Sequence, residues 1–254
     1  DMRSQSTTTS QQQPSQPPPS TRTIHDNIAQ QNHEYRTKSR QYRHFRDAIQ
    51  SSLAPFDKSR EWADLIKCLK QLSSTLDRYK QIALIPDSVL IQKRLSQCLN
   101  PNLPTGVHMK VLEIYEQVFR QVGDQRLALD ISIWSGGVFA FLPYASLEAK
   151  PTVLQLLETY YLPLPINALS PCMTALICSV LSVLEDDSSG GGSELSNRAR
   201  QFLDRIRSKV SVVQELETMD YLNMFYQCLW KCVLLTPQYR VSAIGYIIYV
   251  IKSW

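Results

Sequence analysis

The chain has 254 residues, 43% hydrophobic and 20% charged, with a formal net charge of +4. That is enough for one or two domains with a sizeable core, in a globular rather than a disordered balance. Residues 1–47 hold seven Lys/Arg and four Asp/Glu, so +3 of the total lies there, and nucleic-acid binding by clustered basic residues on a folded surface is not favoured.

Taken in order, residues 1 to about 35 are rich in Ser, Thr, Gln and Pro around "QQQPSQPPPS". Such a tail buries too little apolar surface to offset chain entropy, and disorder is expected. A helical region over 36–254 follows. It opens on "RTKSRQYRHFR", with five basic residues (Arg36, Lys38, Arg40, Arg43, Arg46), no acid and two aromatics. Tyr42, Phe45, Ile49 and Leu53 then share one helical face. This is the strongest candidate for a functional site. A basic amphipathic helix can lie on an anionic membrane, at about 1 kcal/mol per basic residue near the surface. The competing reading packs the apolar face on the core and leaves the arginines solvated.

"SREWADLIKCLKQLSSTLDRYK" places Trp62, Leu65, Ile66, Leu69, Leu72 and Leu76 on one face, with Ser59 as its N-cap. After "PDSVLIQKRLSQCL" comes "LPTGVHMKVLEIYEQVFRQVG". Here Pro104 suits a first turn and Gly123 suits the end. Val107, Val111, Ile114, Tyr115, Val118 and Val122, widened by Leu112 and Phe119, form the apolar stripe. Lys110, Glu113, Gln117 and Arg120 take the other face, and Glu116–Arg120 is a favourable i,i+4 pair. "SGGVFAFLPYAS" is too rich in Gly and aromatics to read as one long helix. "KPTVLQLLETYYLPL" and the almost wholly apolar "SPCMTALICSVLSVLE" follow, and then "DDSSGGGSE" (Asp186–Glu194) reads as a flexible loop. "LSNRARQFLDRIRSKV", "MDYLNMFYQCLWKCVLL" and "YRVSAIGYIIYVIKSW" are helical again.

No hairpin chemistry appears. Helices recur about every 20 residues, so pairs recur near the period of helical repeats. The expected fold is all-α, an irregular α-solenoid of HEAT/armadillo type, with a compact helical bundle as the competitor.

Thr159–Leu184 carries no charge, but Pro163, Pro165 and Pro171 interrupt it, and the remaining apolar run has the length of a core helix rather than a membrane span. "VSAIGYIIYVI" is similar in length. With no signal-peptide pattern and six cysteines inside apolar helices, reduced buried thiols in a cytosolic protein, a fragment of a longer chain, are expected. Cys228 and Cys232, four apart, line a core face; no second pair completes a zinc set, so no metal or other cofactor is expected. Ser188–Ser193 lacks the ending and the preceding strand of a phosphate loop. His108 has no nucleophile or orienting carboxylate in any signature, and the Ser135–Gly137 triplet is no nucleophile elbow. A non-enzymatic protein is expected.

Four segments taken together are specific: "EWADLIKCLKQL", "LPTGVHMKVLEIYEQVF", "ALDISIWSGGVFAFLPYAS" and "KPTVLQLLETYYLPL". They resemble the N-terminal region of the Dopey family of large trafficking proteins, over roughly residues 40–250. The resemblance implies a cytosolic protein peripheral to Golgi and endosome membranes, acting in traffic between them. It also implies partnership with a large scaffold related to Sec7-type exchange factors, and links to a phospholipid flippase and to kinesin light chain. It implies no catalytic residues. The reading is a scaffold or adaptor domain presenting a helical surface to protein partners. The alternative is a membrane module binding anionic lipid through Arg36–Arg46.

Overall fold

The structure, a computed structural model, describes residues 39–59, 61–184, 193–214 and 220–252. The expected disordered tail lies outside these residues, as does the expected loop apart from Ser193 and Glu194, the latter opening a helix. By their contacts the residues divide into Asp1–Arg40 and Gln41–Trp254, and the buried core lies in the second unit. Among the described residues every regular element is helical.

The helices are α1 (Arg40–Leu53), α2 (Trp62–Arg78), α3 (Ser88–Cys98), α4 (Thr105–Leu129), α5 (Ile131–Phe141), α6 (Lys150–Leu156), α7 (Ile166–Leu169), α8 (Met173–Leu181), α9 (Glu194–Gln214), α10 (Tyr221–Leu235) and α11 (Arg240–Lys252). They pack in two interleaved series. In one, α2 lies against α4, α4 against α6 and α6 against α9; in the other, α3 lies against α5, α5 against α8 and α8 against α10. Rungs such as α3–α4, α4–α5, α8–α9, α9–α10 and α10–α11 join the series.

α4 carries the stripe its spacing predicts. Val107, Val111, Leu112, Ile114, Tyr115, Val118, Phe119 and Val122 are all buried. Glu116 and Arg120 pair at 2.6 Å across one turn. Gln117 donates to the Ser73 carbonyl at 3.0 Å and accepts from the Ser73 hydroxyl at 3.1 Å, pinning α4 to α2. Gly123 does break the helix, at φ 71° and ψ 168°, a conformation open to glycine alone at little cost. The chain then resumes helical geometry to Leu129, and Arg126 holds Asp130 at 2.6 Å where α5 begins.

Three local expectations need correction. Ser59 does not cap α2: its hydroxyl donates back to the Pro55 carbonyl at 3.0 Å, and Glu61 precedes the helix without a side-chain cap. Trp62 is 54% exposed, because the first turn of α2 projects beyond the core that receives Leu69, Leu72 and Leu76. The Gly136–Gly137 pair lies inside α5. At Gly137 the helical cost is accepted because a side chain there would collide with Ser96 of α3 and Tyr115 of α4, so this glycine permits α5 to approach both helices closely.

α6 runs into one wide turn, Leu157–Tyr161, in which the Leu162 N–H reaches the Leu157 carbonyl at 2.9 Å. That turn sends the Tyr161 ring inward, where its hydroxyl donates to the Trp134 carbonyl at 3.0 Å. Outside it, Arg198 of α9 binds Glu158 at 2.7 Å, and the Lys209 ammonium donates to the carbonyls of Leu162, at 2.7 Å, and Leu164. Charged groups of α9 therefore hold a carboxylate of the wide turn and two carbonyls just past it.

Candidate interaction surface

The basic segment divides on the structure. Tyr42, Phe45, Ile49 and Leu53 of α1 are buried. Phe45 stacks on Tyr79 with ring centroids 4.8 Å apart, and the Ser52 hydroxyl lies 2.8 Å from that of Thr75. Arg40, Arg43 and Arg46 are exposed, Arg46 beside Asp47 at 3.9 Å; Arg36 and Lys38 lie outside the described residues. The apolar face that a membrane helix inserts is therefore occupied by the core. What α1 offers a surface is its polar outer face, where each basic residue near an anionic membrane contributes about 1 kcal/mol and Asp47 opposes Arg46.

The other sequence candidates are structural. His108 is buried, its Nε2–H donates to the Asn100 carbonyl at 2.9 Å, and its ring meets Phe141 edge-on at 4.8 Å. No cluster of three or more metal-ligating side chains occurs among the described residues. The groove between α3 and α5, about 700 Å³ and lined in part by Asn100, Pro101, Ala140, Phe141 and Tyr144, contains no acid, histidine or lysine. No single described helix is long and apolar enough to cross a membrane. α4 and the stretch Ile131–Tyr144 pass together by length and composition, but they bend by 111°, and their apolar side chains form the core.

The cysteines depart from expectation in one pair. Cys178 of α8 and Cys232 of α10 are joined as a disulfide, with Cα atoms 6.0 Å apart, within the range that geometry allows. The expectation of six reduced thiols is corrected there. Spacing along the chain relates Cys232 to Cys228, whereas the partner comes from a helix 54 residues earlier. Cys228 instead accepts from the Thr174 hydroxyl at 3.1 Å.

Cys98 is a free thiol at the end of α3, and burial, with Cys68 close by and Arg94 opposing, pushes its pKa up to about 11 from an ordinary 9.0. The folded state therefore disfavours the thiolate. The stability linked to this thiol is fully present below pH 9 and is lost as pH rises towards 11. Alkaline unfolding followed by circular dichroism should set in later for Cys98→Ala, measured relative to its own stability at pH 7. Parallel pH profiles for the two proteins would refute that role for Cys98.

Sequence reasoning assigned no role to the outer faces of α10 and α11. Trp230, Leu234, Val241, Ile244, Ile248 and Ile251 are exposed there. The signal was the uninterrupted apolar "VSAIGYIIYVI", apolar around the whole helix rather than along one stripe.

These features define an all-α domain with a continuous apolar core and helical outer faces. The chain belongs to the Dopey family: the family description "Dopey, N-terminal" matches residues 39–253. The chain is similar to Protein DOP1B of Xenopus laevis, 40% identical over 202 residues, and to Protein pad-1 of Caenorhabditis elegans, 34% identical over 212 residues. It is also similar to Protein DOP1 of Saccharomyces cerevisiae, 28% identical over 208 residues. These alignments cover 80%, 84% and 80% of the chain, but only 8%, 8% and 12% of the relatives. No solved structure matches the chain.

Proposed function

We propose that the chain is a non-enzymatic scaffold domain of a Dopey-type protein, acting in vesicle-mediated traffic between endosomes and the Golgi from the cytosolic face of those membranes. The observation that carries this reading is the match to the Dopey N-terminal description across residues 39–253, which spans the whole helical core. The domain is read as an irregular α-solenoid. The two interleaved helix series, each helix meeting chiefly those nearby in the chain, support that architecture, since solenoid repeats contact only their neighbours. Protein partners take the outer helical faces; the family resemblance points to a large Sec7-related scaffold, a phospholipid flippase and kinesin light chain.

The lipid-binding alternative loses its insertion face to the core and keeps the exposed arginines of α1. The two readings separate in one pair of measurements. The 254-residue chain used as bait should retain the Sec7-related scaffold from cytosol, and liposomes with anionic lipid should float little of it. Changing Arg36, Lys38, Arg40, Arg43 and Arg46 to Gln should then alter neither result. Strong flotation that falls steeply with salt, screened within about 8 Å at physiological ionic strength, and that vanishes in the Gln variant would replace the scaffold reading by the lipid one.

A further inference from the structure

The two ends of the helix series differ in chemistry. At the first end, the outer face of α1 presents Gln41, Arg43, Arg46, Asp47 and Gln50 to solvent. That is the polar outer face a terminal repeat needs in order to remain soluble. At the other end, α11 buries Ala243, Tyr246 and Val250 against the core and is held to α9 by the Tyr246 hydroxyl, which donates to Asp204 at 2.8 Å. Its remaining face carries a second apolar stripe at helical spacing: Val241, Ile244, Ile248 and Ile251, the first 65% and the last 67% exposed. On α10, Trp230 and Leu234 lie one turn apart and are exposed as well, Leu234 by 69%. No charged residue occurs from Val241 to Ile251. A helix apolar on all sides belongs between neighbours, and exposed apolar area of this kind marks an interaction site.

We infer that the open stripe of α11, with Trp230 and Leu234 of α10, is the docking face for the next helical pair of the same polypeptide. That pair would continue the series as α10 and α11 continue α8 and α9. The inference rests on the reading of the chain as an N-terminal helical domain. What identifies the occupant is the contrast between a polar first end and an apolar last one, together with the length of the relatives, of which the matched region is 8% in the frog and worm proteins. A second copy of the chain would cover the same stripe without any reason for the first end to be polar.

Hydrogen exchange tests this in the 254-residue chain and in the complete polypeptide. Amides of residues 240–252 should exchange at least about tenfold more slowly in the complete polypeptide, with α1 unchanged, since covering the exposed face of a helix raises its local opening free energy. The double variant Val241→Glu/Ile251→Glu, at the two most exposed positions of the stripe, should remove that added protection. In the 254-residue chain it should leave Tm within about 2 °C, as exposed substitutions do. Equal exchange in the two proteins would overturn the proposal. So would a Tm drop of about 5 °C or more in the 254-residue variant, because the stripe would then be packed within the chain. Sedimentation showing a stable dimer of the 254-residue chain that the double variant dissolves, with no added protection in the complete polypeptide, would give the face to a second copy instead. Retention of the Sec7-related scaffold is a separate readout, so either reading can fail while the other stands.

Discussion

Phe119→Ala should destabilise the fold by about 4 kcal/mol and lower Tm by about 8–16 °C. Phe119 is 1% exposed and sits where α4 meets the wide turn after α6. The rings of Tyr115, Tyr160 and Tyr161 surround it, at centroid distances of 5.7, 5.4 and 5.5 Å. The cost of a cavity depends on how far its walls can relax, and these walls are held from outside. Tyr161 is fixed by its hydrogen bond to the Trp134 carbonyl and by Phe139 at 5.1 Å. Tyr115 is fully buried within α4 itself. Little collapse is available, so the loss should fall in the upper part of the usual range. Phe119→Leu, which retains most of the volume, should cost only about 1–2 kcal/mol. Urea unfolding of the two variants checks both numbers. A Phe119→Ala loss below about 1.5 kcal/mol would mean that the aromatic cluster is loosely packed.

How much of this was legible in the sequence depends on the kind of information each feature needs. The inner face of α4 and that of α1 are periodic signals within one helix, and every residue named from them in those two faces is buried. Trp62 has the same periodicity as Leu69 and Leu72, yet the end of its helix overhangs the core, and periodicity does not record where a neighbour stops. Gly137 was misread because the reason for it lies far away in the chain, in Ser96 of α3 and Tyr115 of α4. The Cys178–Cys232 pairing likewise needs the facing of two helices. For the candidate surface, charge in Arg36–Arg46 was visible at once, whereas the occupation of the adjoining apolar face by Tyr79 and its neighbours was not. The apolar outer face of α11 was written plainly in the sequence but was weighed only as a run of core-helix length, too short for a membrane span. Its meaning depends on knowing which of its sides the core already covers.

The glycine pair gives the sharpest comparison, because adjacent residues in one helix should respond oppositely to the same change. Gly136→Ala adds a methyl group whose nearest neighbour is the Gln92 Nε2 at 3.8 Å, an ordinary contact. The gain in helix propensity should then prevail, raising stability by up to about 1 kcal/mol. At Gly137 the added methyl would meet the Ser96 and Tyr115 hydroxyls closer than side chains pack. Ser96 can rotate only by giving up the hydrogen bond it accepts from Gln92 at 2.9 Å. Tyr115 cannot rotate, since its ring is fully buried and its hydroxyl is carried rigidly on it; burial also pushes its ionisation well above the usual range, against a smaller pull from Ser96. Overpacking of this kind costs about 1–3 kcal/mol. Set against the gain of about 1 kcal/mol in helix propensity, Gly137→Ala should therefore lose about 1 kcal/mol net, and up to about 2, by pushing α5 away from α3 and α4. The cause can be isolated in the background Ser96→Ala/Tyr115→Phe, which removes both hydroxyls and leaves the residue 96 Cβ, at 3.5 Å, as the nearest contact. In that background, Gly137→Ala should cost less than about 0.5 kcal/mol, and the difference between backgrounds is the coupling energy. Chemical denaturation of the four proteins measures it. If Gly137→Ala proves as harmless as Gly136→Ala in the native background, α5 does not lie against α3 as closely as the structure places it.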